Sequence, residues 1–294
     1  MSRAISRAPA RAPARAIARR RHRTRARATT TTAEVDAFAR EISGEWIGHC
    51  ASFDPISGEP SSLPSSMVPD AFREWGMDIK DWQSQCSTTV RDAASGTELY
   101  CKDARFVPVV GCEADASTVE SFERDAIAIE RVAVEAGARG GYSACYEDQK
   151  GVEIVQHCVV NDALDPPIRV RMKHRADGCG AVRVWREAMD EPFCDGGSLA
   201  SSCGGNSAVA KFAEYPRDAA DVVARVDADF TLPTNATQLP VGIWFSIVVE
   251  EDGSYASQLG YADEKTASHV ASARSRSGRD ESSVVVRFHR ALSP

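Results

Sequence analysis

The stretch IRVRMKHR, residues 168–175, decides the fold class. It alternates without a break: Ile168, Val170 and Met172 fall on one side, Arg169, Arg171 and Lys173 on the other. Period two is the signature of a β-strand, because successive side chains point to opposite faces. The same texture extends in both directions. Upstream lie GEWIGHCASFD (44–54), DIKDWQSQCSTTV (78–90), ELYCKDARFVPVV (98–110), DAIAIERVAVEA (125–136), GGYSACYE (140–147) and VEIVQHCVV (152–160), and AVRVWREA (181–188) follows directly. Gly, Pro, Asp and Asn clusters bound these runs. Many short strands at even spacing with tight turns predict a closed antiparallel barrel or a sandwich.

One helix precedes them. In AEVDAFAREIS, Val35, Phe38 and Ile42 recur at spacings of three and four, and Thr31 or Thr32 caps the start. Gly44 stops the helix, and Trp46 follows two residues later. A helix followed by Gly-x-Trp at the first strand favours an all-β, lipocalin-like or calycin-like barrel over residues 34–190, with Gly44 and Trp46 opening it.

From Glu191 the texture loosens. EPFCDGGSLASSCGGNS reads as a Gly/Ser-rich linker or surface loop, giving a boundary segment over 191–219. Strand-like runs resume in DVVARVDADF (221–230), LPVGIWFSIVVE (239–250), SYASQLGYA (254–262) and SSVVVRFHR (282–290), with ASARSRSGRDESS (271–283) as a charged, mobile connection. Gly242-Ile243-Trp244 echoes Gly44-Glu45-Trp46. Residues 220–294 are therefore expected to form a second, shortened barrel-like half, since about four strands fall short of the ~8 that close a small barrel.

Charge divides the chain sharply. Residues 1–33 hold ten arginines and no acid, in an Arg-, Ala-, Ser- and Thr-rich composition without an apolar run. That is the composition of an organelle transit peptide, expected to be disordered, with a basic nucleic-acid arm as the bland alternative. Removing it leaves 294 − 33 = 261 residues with 35 − 10 = 25 basic and 42 acidic side chains, a net of 25 − 42 = −17. Such a body is repelled by nucleic acid and anionic membranes. The longest apolar run, Val241–Val249, is far short of the ~20 residues of a spanning helix. Plastid and mitochondrial matrix both suit the leader.

Chemistry is sparse. The nine cysteines form no C-x-x-C, so free thiols in a reducing compartment are expected rather than a zinc or redox motif. P-loop, Gly-x-Ser-x-Gly and His-Glu-x-x-His patterns are absent. The pairs His49-Cys50 and His157-Cys158 sit on strands, where neighbours face opposite ways and cannot grip one metal. No catalytic set, cofactor site or metal site is therefore expected. In MVPDAFREWGMDIKDWQSQC (67–86), Phe72, Trp75 and Trp82 either line a ligand mouth, making a partner or ligand contact, or plug the barrel end.

At this block the chain resembles a known family. GEWIGHCASFDPISGEP, LPSSMVPDAFREWGMDIKDWQSQC, VVGCEADAST, QHCVVNDALDPPIRVRM and LPVGIWFSIVVEEDGSYASQLGYA are together similar to an algal and plant plastid family. Its best-described members are biogenesis factors for the chloroplast ATP synthase. The resemblance implies two calycin-like β-barrels and a non-enzymatic assembly factor of the chloroplast stroma. It also implies partners, the β and γ subunits of unassembled F1. DVVARVDADF departs from the pattern by lacking a tryptophan where the second barrel opens. The other expectation is a lipocalin-like binder of a small apolar ligand or pigment. A barrel that attaches or isomerises a chromophore is the enzymatic reading.

Overall fold

The computed structural model describes residues 32–106, 119–134, 139–197, 209–278 and 284–292. The arginine-rich leader, the Gly111–Thr118 block, Cys112 and Cys203 lie outside the described residues. The chain is mostly antiparallel β, as the alternation predicts. Helix α1 (Thr32–Ile42) turns Phe38 and Ile42 inward. Then follow β1 (Gly44–Phe53), the short helix α2 (Asp70–Glu74), β2 (Asp81–Ala93), β3 (Gly96–Phe106), β4 (Val119–Ala128), β5 (Val132–Val134), β6 (Tyr142–Glu147), β7 (Glu153–Asn161), β8 (Ile168–Arg175) and β9 (Val182–Glu191).

These nine strands pair in the order β4-β3-β2-β1-β9-β8-β7-β6-β5, and every pairing is antiparallel. Eight reversals bring β5 back to the direction of β4. The two edges therefore run the same way, and only the single 3-10 turn Ile129–Arg131 separates them. The run DAIAIERVAVEA, expected as one strand, is one bent strand: its first part pairs with β3 and its second with β6. The sheet curls into a nearly closed barrel with eight strand directions around it, the size whose interior side chains just fill.

The second half is a five-stranded sheet in the order β10-β11-β12-β13-β14: β10 (Thr237–Gln238), β11 (Ile243–Val249), β12 (Tyr255–Asp263), β13 (Ser268–Arg276) and β14 (Val285–Leu292). Two sequence expectations change here. DVVARVDADF is not a strand: α3 (Ala219–Val226) occupies most of it, burying Val222, Val223 and Val226 at helical spacing. The connection expected over 271–283 begins inside β13, whose Ala271–Ser275 portion pairs with both neighbours.

The sheet lies on the barrel's outer wall. One apolar core runs from Ala51, Phe53, Val159, Val170, Met172 and Val184 of the barrel to Ile243, Phe245, Leu259 and Tyr261 of the sheet. Of the segment read as a linker, Val209, Phe212 and Ala213 enter this same core. Buried Asp81 anchors them by accepting the Phe212 and Ala213 N–H groups, at 3.1 Å each. On the sheet's far face, α3 packs against Trp244, Ala262 and Ala271. The side-chain amide of Gln238 accepts the Ala220 N–H at 3.1 Å, satisfying a donor that the first turn of α3 leaves open.

Candidate functional site: the ionic lumen and its cap

The alternating faces of IRVRMKHR point opposite to the usual expectation. Ile168, Val170 and Met172 face outward into the core shared with the second sheet. Arg169, Arg171 and Lys173 face the lumen, and both arginines are essentially solvent-free. Each cation lies over an aromatic ring: Arg169 at 4.3 Å from Trp46, Arg171 at 4.6 Å from Trp185 and Lys173 at 5.8 Å from Tyr146. Each also has a carboxylate. Arg169 Nε donates to Glu187 at 2.8 Å and its Nη1 to Thr88 at 3.0 Å. Arg171 donates to the same Glu187 oxygen at 2.9 Å and grips Asp103 with both terminal nitrogens. Lys173 reaches Asp125 on β4 at 2.7 Å, and Arg183 reaches Glu123 at 2.6 Å. Four cations thus meet four carboxylates, and Lys173 and Arg183 tie the bent edge strand back across the lumen.

Burial would raise the Asp103 carboxyl, but the Arg171 guanidinium beside it and its hydrogen bonds hold it at about 2. Burial pushes the Cys50 and Cys158 thiols up to about 12, leaving them uncharged and unreactive at neutral pH. The seven described cysteines are all free, five of them buried.

Both lumen ends are covered. At one end Trp46 packs with Phe38 and Ile42 of α1, Leu99, Ile127 and Tyr142, and its indole donates to the Ile42 carbonyl at 3.2 Å. Gly44 sits where α1 hands over to β1. Between them Gly48 lets β1 approach β9, since a Cβ there would stand 2.0 Å from the Arg186 carbonyl oxygen. At the other end the segment 63–79 folds over the mouth, where Leu63, Val68 and Ile79 cluster with Cys50, Trp82 and Trp185. The three aromatics singled out from the sequence separate here. Trp82 is inside the plug, Phe72 packs against it half-buried, and Trp75 is 63% exposed. Phe72 props Trp75 edge-on at 6.0 Å, and Met77 is exposed beside them in the chain.

Two clusters of the described residues carry metal-ligand chemistry, and sequence spacing signalled neither. Cys86, Asp103 and Glu187 converge in the lumen, but the guanidinium groups of Arg169 and Arg171 already occupy both carboxylates. A divalent ion would have to displace two buried cations. Asp227, His269 and His289 converge on the far face of the second sheet. Asp227 Oδ2 accepts from His269 Nδ1 at 2.9 Å and from His289 Nε2 at 2.7 Å. Trp244 donates its indole N–H to His269 Nε2 at 3.3 Å, so the ring proton of His269 sits on Nδ1, the atom an ion would need. Buried Trp244 cannot turn away, because its ring fills the space over Gly260, where a Cβ would stand 2.2 Å from it. The set is built as a hydrogen-bonded clasp, and His289 and Asp227 could not have been linked by motif.

Among the described residues, no helix is long and apolar enough to cross a membrane. No protein-family model matches the chain, and no curated protein matches it. Among solved structures it is similar to a protein of unknown function from the DUF3598 family of Nostoc punctiforme PCC 73102. That likeness has 9% identity and a TM-score of 0.44, and it covers 87% of this chain and 98% of the other.

Proposed function

We propose that the protein is a non-enzymatic, protein-binding factor of the plastid stroma. Its clients would be unassembled β and γ subunits of chloroplast F1, as the sequence resemblance implies. One observation carries the protein-binding part: the lumen is filled by its own interlocked side chains. Trp46, Trp185, Arg169, Arg171 and Tyr142 are among the largest fully buried side chains of the molecule. A small apolar ligand or pigment would have to enter an ion-paired interior, stripping charges of their partners at several kcal/mol each. The same pairing engages all four of the lumen carboxylates described above with cations.

What the barrel offers outward is the cap. Exposed Trp75 and Met77 stand on a segment whose cations Arg73 and Lys80 are already paired with Asp70 and Asp78. A few aromatic anchors commonly carry an interface, and a −17 body speeds the approach of a basic client surface. The test is association of the leader-free protein with purified F1 β and γ subunits at low and high salt, with Trp75→Ala in parallel. Binding that weakens at least tenfold in the variant and slows with salt supports the reading. No binding of either subunit at low salt discards the clients. Binding indifferent to Trp75→Ala discards the contact surface while leaving the clients standing.

A further inference from the structure

The joint between barrel and sheet contains a polar seam that the proposed function does not use. His157 of β7 and His174 of β8 project from the barrel's outer wall, and Ser257 of β12 and Ser272 of β13 project from the sheet. All four are buried. The proton positions follow from the partners. His174 Nδ1 lies 2.7 Å from the Arg175 carbonyl oxygen, which only accepts, so Nδ1 carries the ring proton. His174 Nε2 must then accept, and the Ser257 hydroxyl 2.7 Å away donates to it. Having given its one proton, Ser257 accepts His157 Nε2–H at 3.1 Å. His157 Nδ1 in turn accepts the Ser272 hydroxyl at 3.0 Å. The result is a one-directional chain, Ser272 to His157 to Ser257 to His174 to a carbonyl, crossing the joint three times.

We propose that this chain is an acid-sensitive seam, in which protonation of His157 and His174 parts the five-stranded sheet from the barrel and uncovers the apolar outer face of β8. Neither ring can take a proton and keep the hydrogen bond it accepts. A proton on His174 Nε2 meets the Ser257 O–H, and one on His157 Nδ1 meets the Ser272 O–H. Around His157 the charged surroundings oppose protonation too. Arg274, buried at the same joint, faces His157 together with His174, while Asp177 beside His174 only partly counters its burial. At the far side of the joint His49 Nδ1 donates to the Val209 carbonyl at 3.1 Å, and the ring faces Lys211 and Arg186. Burial lowers His174 and His49 to about 4, and holds His157 well below its ordinary range.

The direction follows from linkage. A histidine held below its free value of about 6.5 makes the parted form bind more protons. The joint is therefore fully stable above that pH and weakens as pH falls from about 6.5 toward about 4, by roughly tenfold in its closing constant per pH unit for each histidine. Two carboxylates also bridge the joint. The Glu153 partner of Arg276 is itself held below its usual range by that arginine's hydrogen bonds. Asp162 holds Arg290 at the sheet's edge.

The experiment is amide hydrogen exchange on the whole protein at pH 7.0, 5.5 and 4.5, corrected for intrinsic rates, in the wild type and in a His157→Gln/His174→Gln variant. Glutamine offers a donor and an acceptor but does not titrate. Amides of β12 and β13 should lose about 100-fold or more protection by pH 4.5 while β1–β3 keep theirs, and the variant, which retains only His49 at the joint, should lose at least tenfold less. Unchanged wild-type protection at pH 4.5, or equal loss in the variant, overturns the proposal. Should the variant not fold, proton NMR of the wild-type histidine C2 resonances decides. Titration of both rings in step with joint opening supports the seam, and titration near 6.5 with the joint closed overturns it.

Discussion

The two halves begin alike and end differently. Each has a helix, then a Gly-x-Trp strand: α1 before Gly44-Glu45-Trp46, and α3 before Gly242-Ile243-Trp244. Both tryptophans are buried with their indole N–H donated, Trp46 to a helix carbonyl and Trp244 to His269. In the first half enough strands follow to bring the sheet round upon itself, and its interior is a paired column of charge. In the second the described residues form five strands, and α3 with Phe230 covers the face turned away from the barrel instead. The comparison teaches that the opener does not determine closure. Where strands run out, a helix and a buried Asp–His clasp take over the enclosing role.

The largest effect expected from breaking this contrast is in the barrel. Glu187→Ala leaves Arg169 and Arg171 without their shared partner and should cost about 3–5 kcal/mol in a denaturant titration. Trp46→Ala should cost roughly as much, 3–5 kcal/mol, and a loss under about 1 kcal/mol would place the ring outside the core. In the second half, Gly260→Ala pushes a methyl into the Trp244 ring and should cost about 1–3 kcal/mol, read as a lowered midpoint of thermal unfolding. Asp227→Asn should cost about 1–2 kcal/mol at pH 7. Burial opposes ionisation of Asp227, yet the hydrogen bonds from His269 and His289 hold its carboxyl below the usual range. Its contribution is therefore present above an ordinary aspartate's pKa and disappears as pH falls through the lowered value, so wild type and variant should converge in acid. The smallest effect is at the cap: Trp75→Ala should change stability by no more than about 0.5 kcal/mol, since the ring is mostly in solvent.

The period of the strands was legible because alternation is local. Which face of IRVRMKHR points inward was not. A strand with three basic residues on one side normally turns them to water. What reverses it are carboxylates far along the chain: Glu187 is 18 residues from Arg169, Asp125 is 48 from Lys173 and Asp103 is 68 from Arg171. The valines of DVVARVDADF suggested a strand by composition, while their spacing at 222, 223 and 226 carried the helix. Ala271–Arg276 looked like a tether because small and basic residues rarely announce a central strand. The clasp was invisible for the same reason as the lumen pairs: Asp227 lies 42 residues from His269 and 62 from His289.

The bent strand has a bearing on how the chain tolerates change in length. A single residue inserted within β4 would reverse its remaining side chains, sending Asp125 outward and cutting the Lys173 tie, because register in a strand admits no odd step. The turn at 129–131 is different: it joins two pieces that answer to different neighbours, β3 on one side and β6 on the other. Lengthening it disturbs neither register. The suture that mends the ring is thus an elastic point, where the molecule can grow or shrink without relearning which way its walls face.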